Sequence, residues 1–128
     1  MKNFKIIGCA IVLGLLIGGL AGCEYDEVLP EQPPSTDLSF QADILPIFNE
    51  GCNTSGCHGV GEFKPDLSPA NAYTALFEGS YIDTIVPENS LLYRWMLGDE
   101  GAPMPPTGTD AFYNASVLKW ISEGAKDN

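Results

Sequence analysis

The only histidine of the chain and two of its four cysteines fall within one seven-residue run, Cys52-Asn53-Thr54-Ser55-Gly56-Cys57-His58. The unit that must fold around this run is short. Of the 128 residues, 1–22 are dominated by an apolar stretch and 23–37 by prolines and acids, which leaves one domain at 38–128, roughly 90 residues. At that size buried side chains alone leave little net stability, and small domains commonly add a disulfide, a metal or a cofactor. The Cys52–His58 run is the place in this sequence where such a staple would sit.

The amino terminus has three parts. Met1-Lys2-Asn3-Phe4-Lys5 is a short positive stretch, Ile6 to Leu20 is apolar, and Ala21-Gly22-Cys23 follows. This is the pattern of a secretory signal. Fifteen apolar residues make about 22 Å of helix, short of the roughly 30 Å hydrocarbon core of a bilayer. Leu20-Ala21-Gly22-Cys23 resembles the lipobox of bacterial lipoproteins. The resemblance implies that residues 1–22 are removed and that Cys23 becomes the first mature residue and carries the lipid. The protein would then be extracytoplasmic and membrane-anchored, on the periplasmic side or the outer surface. Cys9 is discarded with the signal, so Cys52 and Cys57 are left for chemistry in an oxidising compartment.

Glu24 to Thr36 carries Glu24, Asp26, Glu27 and Glu31 among Pro30, Pro33 and Pro34, a composition that reads as an extended, solvated tether. Beyond the signal only Lys64, Arg94, Lys119 and Lys126 stand against 17 carboxylates. A surface that acidic repels phosphate backbones, which argues against nucleic-acid binding, and it suits a partner with a basic docking patch.

From Asp37 onward the pattern is helical. Asp37 or Ser39 is placed to cap a first helix with Phe40, Ile44, Ile47 and Phe48 on one face, and Pro46 within it predicts a kink or an early end. Ser68-Pro69 predicts the cap and first position of a second helix through Tyr73, Leu76 and Phe77, stopped by Gly79. Asn89 or Ser90 opens a third, Leu91 to Leu97, ended by Gly98. Thr109 is placed to cap the last, with Phe112, Val117, Leu118 and Ile121 near one side, ended by Gly124. No run alternates convincingly enough for a sheet. The class is all-α, about four short helices joined by long loops, and loops that long in a small domain usually wrap something.

A Cys-x-x-Cys-His run marks covalent haem attachment, with two thiols on the haem vinyl groups and the adjacent histidine on the iron. Here Cys57-His58 keeps the adjacency, but four residues separate the thiols instead of two. The intervening Asn, Thr, Ser and Gly, preceded by Gly51, would let the extra pair bulge outward at small steric cost. Other readings of the run stay open. A Cys52–Cys57 disulfide would close a small loop in a non-redox lipoprotein. A zinc site on Cys52, Cys57 and His58 lacks a fourth Cys or His, so a carboxylate would have to complete it. A thiol–disulfide exchange enzyme would want two intervening residues and a βαβ pattern, and both are absent.

His-ligated haem in electron carriers commonly takes Met as its other axial ligand. Met96 falls in a helical apolar pattern with Leu92 and Trp95, where core packing is the ordinary role. Met104, in Gly101-Ala102-Pro103-Met104-Pro105-Pro106, has no helix face to pack, and its prolines restrict the backbone. It is the better candidate ligand.

These residues resemble a known family. Ile44-Leu45-Pro46-Ile47-Phe48 leading into Gly56-Cys57-His58-Gly59, Asp66-Leu67-Ser68 before Ala72-Tyr73, Ser90-Leu91-Leu92-Tyr93, Met104-Pro105-Pro106 and Trp120-Ile121-Ser122-Glu123-Gly124-Ala125 are similar to landmarks of planctomycete-type class I cytochromes c. The likeness runs over about residues 38 to 126, and that family has the widened thiol spacing. It implies a class I cytochrome c-like fold around one covalent haem c, attached through Cys52 and Cys57, with His58 and Met104 as axial ligands. It also implies terminal helices that bring Phe48 near Trp120. In class I cytochromes a proline carbonyl accepts the other imidazole N–H; Pro65 looks like that proline and Leu67 like a haem-packing residue. Other candidate lining residues are Phe63, Tyr73, Leu76, Leu92, Trp95 and Leu97. The implied function is one-electron transfer to a redox partner protein rather than catalysis, since neither axial position would be open to substrate.

Overall fold

The computed structural model describes residue 33 and residues 36–128. The signal segment, Cys23 and nearly all of the tether lie outside the described residues, and so does every expectation attached to them. Among the described residues there are four α-helices, two short turns of other helical types, and no strand. The all-α class is therefore as the periodicity predicts.

The first helical stretch shows how the chain accommodates a proline. Ser39 caps it: its Oγ accepts the Ala42 N–H at 3.2 Å, while its own N–H donates to Asp43 Oδ2 at 2.7 Å. This is the reciprocal logic of a capping box. The next turn, Phe40–Ile44, is wound wide as a π-helix, with the Ile44 N–H donating to the Ser39 carbonyl at 3.3 Å. The α-helix α1, Leu45–Gly51, then starts afresh with Pro46 in its first turn. A first-turn residue needs no N–H partner within the helix, so the missing donor costs nothing there. The expected irregularity at Pro46 is taken up by the π turn ahead of it.

Helix α2 is Ala72–Glu78. It begins three residues later than Pro69 suggests, because Ser68 acts through its backbone: its carbonyl accepts the Asn71 and Ala72 N–H groups at 3.0 and 2.9 Å. Asp66 does the side-chain work. Its carboxylate accepts the Ser68 N–H at 3.0 Å and the Asn71 amide at 2.9 Å. The Ser68 bonds, with help from Asn71, hold the Asp66 carboxyl below its ordinary range. A 3-10 turn, Pro87–Asn89, leads into α3, Leu91–Leu97, which stops at Gly98 in the left-handed region. The last helix, α4, is Ala111–Ser122; its cap is Asp110, not Thr109, and Asp110 Oδ1 accepts the Tyr113 N–H at 2.9 Å.

The core is aromatic and lies between the π turn, α1 and α4. Phe40, Ile44, Phe48, Leu76, Val117, Trp120 and Ile121 are all fully buried. Phe40 is its hub, with ring centroids 5.3 Å from Trp120, 5.2 Å from Tyr73 and 6.3 Å from Phe48. The aromatic pairing with Trp120 is thus made by Phe40, and Phe48 joins the group through Phe40. Each such ring contributes roughly 1.5–3 kcal/mol by leaving water.

Residues 123–128 close this core. The Trp120 Nε1–H donates to the Lys126 carbonyl at 3.0 Å and the Tyr73 hydroxyl to the Ala125 carbonyl at 3.1 Å. The Phe40 N–H donates to Asn128 Oδ1 at 3.0 Å, and the Leu38 N–H to Glu123 Oε2 at 2.9 Å. Among the described residues no buried side-chain nitrogen or oxygen lacks a partner.

Candidate functional site

The Cys52–His58 run begins where α1 ends. Cys52 closes that helix, its N–H donating to the Phe48 carbonyl at 2.9 Å. Its thiol is pushed up to about 11, first by burial and then by the neighbouring Cys57. Cys52 therefore stays a thiol, not a thiolate, at neutral pH. Both Cys52 and Cys57 are free thiols here.

The four intervening residues form a compact turn. The Cys57 N–H donates to the Thr54 carbonyl and the His58 N–H to the Cys52 carbonyl, both at 3.0 Å, which sets His58 back beside the start of the run. Thr54, Ser55 and Gly56 are exposed, and Gly56 has φ 83°, a conformation that glycine takes without strain. The two extra residues are absorbed in this outward turn. Downstream, the Phe63 N–H donates to the Cys57 carbonyl at 3.0 Å and the Leu67 N–H to the His58 carbonyl at 2.7 Å. The backbone of both functional residues is fixed from both sides.

The imidazole of His58 is fixed as well. Its Nδ1 lies 3.1 Å from the Pro65 carbonyl and 3.2 Å from the Phe63 carbonyl. A carbonyl only accepts, so Nδ1 must carry the proton and donate, and in the neutral ring Nε2 then holds a lone pair. This is the tautomer of a histidine ready to bind a metal through Nε2. Pro65 is buried, as is Leu67 at 3% exposure, and the Leu67 carbonyl accepts the Asn53 side-chain amide at 3.2 Å.

The Met104 loop is held through its backbone. The Met104 N–H donates to the Trp95 carbonyl at 3.0 Å, and Met104 is half-buried between Pro103 and Pro105. A Cβ placed on Gly51 would stand 3.5 Å from Pro105 Cγ, so the proline loop lies against the residue just before Cys52. Between these segments and α4 opens a cavity of about 320 Å³, bordered by Glu50, Cys52, Met96, Pro105, Asp110 and Tyr113 among others. Of the six expected site residues Cys52 alone borders it.

The remaining candidate side chains divide between core and surface. Met96 is buried in the core and also borders the cavity. Leu67, Leu76 and Leu92 are core residues, Tyr73 packs edge-on against Phe40, and Leu97 is exposed. Phe63 and Val60 are 70% and 74% exposed, beside the Cys-His run.

Four polar residues of the site, Glu50, Asn53, Glu62 and Tyr113, carry no sequence signal of their own. The Tyr113 hydroxyl donates to the Glu50 carboxylate at the cavity rim, and that bond, with burial and the carboxylate charge behind it, raises the Tyr113 pKa. The Asn53 amide also donates to Asn49 Oδ1 at 2.7 Å. The Glu62 carboxylate accepts the Gly56 N–H at 2.8 Å and the Gly59 N–H at 3.2 Å. All are contacts between residues whose types are ordinary for loops and helix ends.

Among the described residues no three His, Cys, Asp or Glu side chains are grouped so as to hold a metal ion by themselves. Two free thiols and an imidazole oriented by two carbonyls lie within one seven-residue run, followed by the exposed Val60 and Phe63. No family model matches this chain, and neither does any curated protein or solved structure.

Proposed function

We propose that this chain is an extracytoplasmic one-electron carrier with a class I cytochrome c-like fold and one covalent haem c. Cys52 and Cys57 would supply the two thioether bonds, and His58 and Met104 the axial ligands. The observation that carries the reading is the His58 Nδ1 contact to the Pro65 carbonyl at 3.1 Å. An imidazole oriented in this way, next to a free thiol, has an obvious use as an axial ligand and little as a structural group.

When bound, the haem supplies a reversible Fe(III)/Fe(II) change, and the thioether of Met104 favours the reduced state. The residues of the chain provide the rest. Pro65 and Phe63 hold the His58 proton at Nδ1. Pro103 and Pro105 restrict the Met104 backbone. The exposed apolar chains of Val60 and Phe63 would be available to cover the bound group. With His58 and Met104 both engaged in holding the group, electron transfer would be the expected activity, not bond-making catalysis.

The acidic balance of the chain, 17 carboxylates in all, favours docking to a redox partner with a basic patch, with association slowing as salt rises. The lipid on Cys23 would hold the domain at the membrane on the extracytoplasmic side.

The decisive test is a haem stain after denaturing electrophoresis of the mature protein, made in a host with haem-attachment machinery. Covalently bound haem survives the gel, and Cys52→Ser with Cys57→Ser abolishes the stain. A product with no added haem mass and a Cys52–Cys57 disulfide would replace this reading with that of a non-redox lipoprotein.

A further inference from the structure

Gly59 to Glu62 reads in the sequence as plain loop, yet the Glu62 carboxylate bridges the attachment segment. Its two oxygens take separate backbone donors, Gly56 N–H at 2.8 Å and Gly59 N–H at 3.2 Å. One donor lies immediately before Cys57 and the other immediately after His58. A Cβ on Gly59 would come within 2.8 Å of the Glu62 oxygen, so glycine is what lets the carboxylate approach. From the opposite end, the Asn53 amide ties the residue after Cys52 to Asn49 and to the Leu67 carbonyl.

The widened spacing gives these bonds a purpose. Two more residues between the thiols mean more backbone freedom, and that freedom would let Cys57 and His58 wander relative to Cys52. A carboxylate accepting from both flanks removes it through two charge-assisted hydrogen bonds. We infer that Glu62 is a positioning residue, which clamps Gly56 and Gly59 so that the Cys57 thiol and the His58 imidazole are presented together for haem attachment. The inference rests on the haem reading above. Glu62 acts through the loop backbone and touches neither thiol nor imidazole.

The test compares wild type, Glu62→Ala and Glu62→Gln, each as the full chain expressed with haem-attachment machinery. Three quantities are read: haem per polypeptide by absorbance and mass, exchange of the Gly56 and Gly59 amides by NMR, and the far-UV melt. Glu62 is exposed and outside the core, so all three melts should show a cooperative transition. In Glu62→Ala both amides should exchange about tenfold faster or more, and haem content should fall severalfold. Glu62→Gln keeps one acceptor oxygen without the charge and should fall between the other two. Haem content of Glu62→Ala equal to that of wild type overturns the clamp, and so does Glu62→Gln falling as far as Glu62→Ala. Wild type that carries no haem overturns the carrier reading itself, whatever its amides do, so the two failures are distinct.

Discussion

The two sides of this small domain are held together by different means. On one side Phe40, Phe48 and Trp120 are buried completely, and residues 126–128 hydrogen-bond to Phe40 and Trp120. On the other, the 52–67 segment and the proline loop around Met104 are shaped by backbone hydrogen bonds and carboxylates, with Phe63 and Val60 left 70% and 74% exposed. The first side is stabilised by burial, which is indifferent to orientation. The second depends on directional bonds, which set the orientation of an imidazole and two thiols and bury little. On the proposed reading, a site that receives a large group has to leave that group's surface uncovered, and burial alone cannot build it.

Substitutions can break this contrast, beginning with the core. Trp120→Ala removes the largest fully buried side chain and should cost about 3–5 kcal/mol in denaturant unfolding. A loss under 1 kcal/mol would mean that the aromatic cluster is not the main support.

The next effect is chemical. With Cys52 at about 11 against an ordinary 9.0, its thiolate population at neutral pH should be about a hundredfold below that of an unfolded cysteine. In haem-free protein, alkylation followed by peptide mapping should find Cys52 slow at pH 7 and accelerating toward pH 11. Because the folded value is raised, folding favours the protonated form. The contribution to stability is full below about pH 9 and is lost as pH rises through about 11. Alkylation of Cys52 as fast as in denatured protein at pH 7 would place the thiol in water instead of against the core.

Smaller effects sharpen the comparison. Asp110→Ala removes the α4 cap beside the cavity and should lower stability by about 1 kcal/mol, while Asp110→Asn should recover most of it. Phe63→Ala should change the stability of haem-free protein by no more than about 0.5 kcal/mol, since the ring is exposed. In the haem-loaded protein the same change should be clearly destabilising, measured as the difference between the two melts. Equal, negligible effects with and without haem would show that Phe63 does not cover the cofactor.

Legibility in the sequence follows the same division. Helix α3 is bounded by Ser90 and Gly98 as read, because a left-handed stop at glycine is a local property of the backbone. Helix α4 is displaced by only one residue at its cap, and its end before Gly124 is also local. Helix α2 starts later than Pro69 implies because Asp66, outside the helix, takes the Ser68 N–H and the Asn71 amide. The π turn before Pro46 escapes an apolar pattern altogether, since Phe40, Ile44 and Phe48 suit an α turn and a π turn alike. At the site, the adjacency of Cys57 and His58 is written in the chain, and the Pro65 carbonyl stands 3.1 Å from His58 Nδ1. Glu62, Asn53 and the Glu50–Tyr113 pair are not legible, because each matters only through a partner brought near by a turn.

By itself the sequence determined the all-α class, the places where helices stop, and the side chains available for chemistry. Those depend on glycine and proline torsions, on side-chain spacing and on residue type, all of which act within a few residues. The folded arrangement was needed to show that Phe40 pairs with Trp120, that Phe63 stands exposed, and that Glu62 spans the turn between Gly56 and Gly59. Packing and hydrogen bonding at close range depend on where the whole chain places each atom, and a linear pattern does not encode those positions one residue at a time.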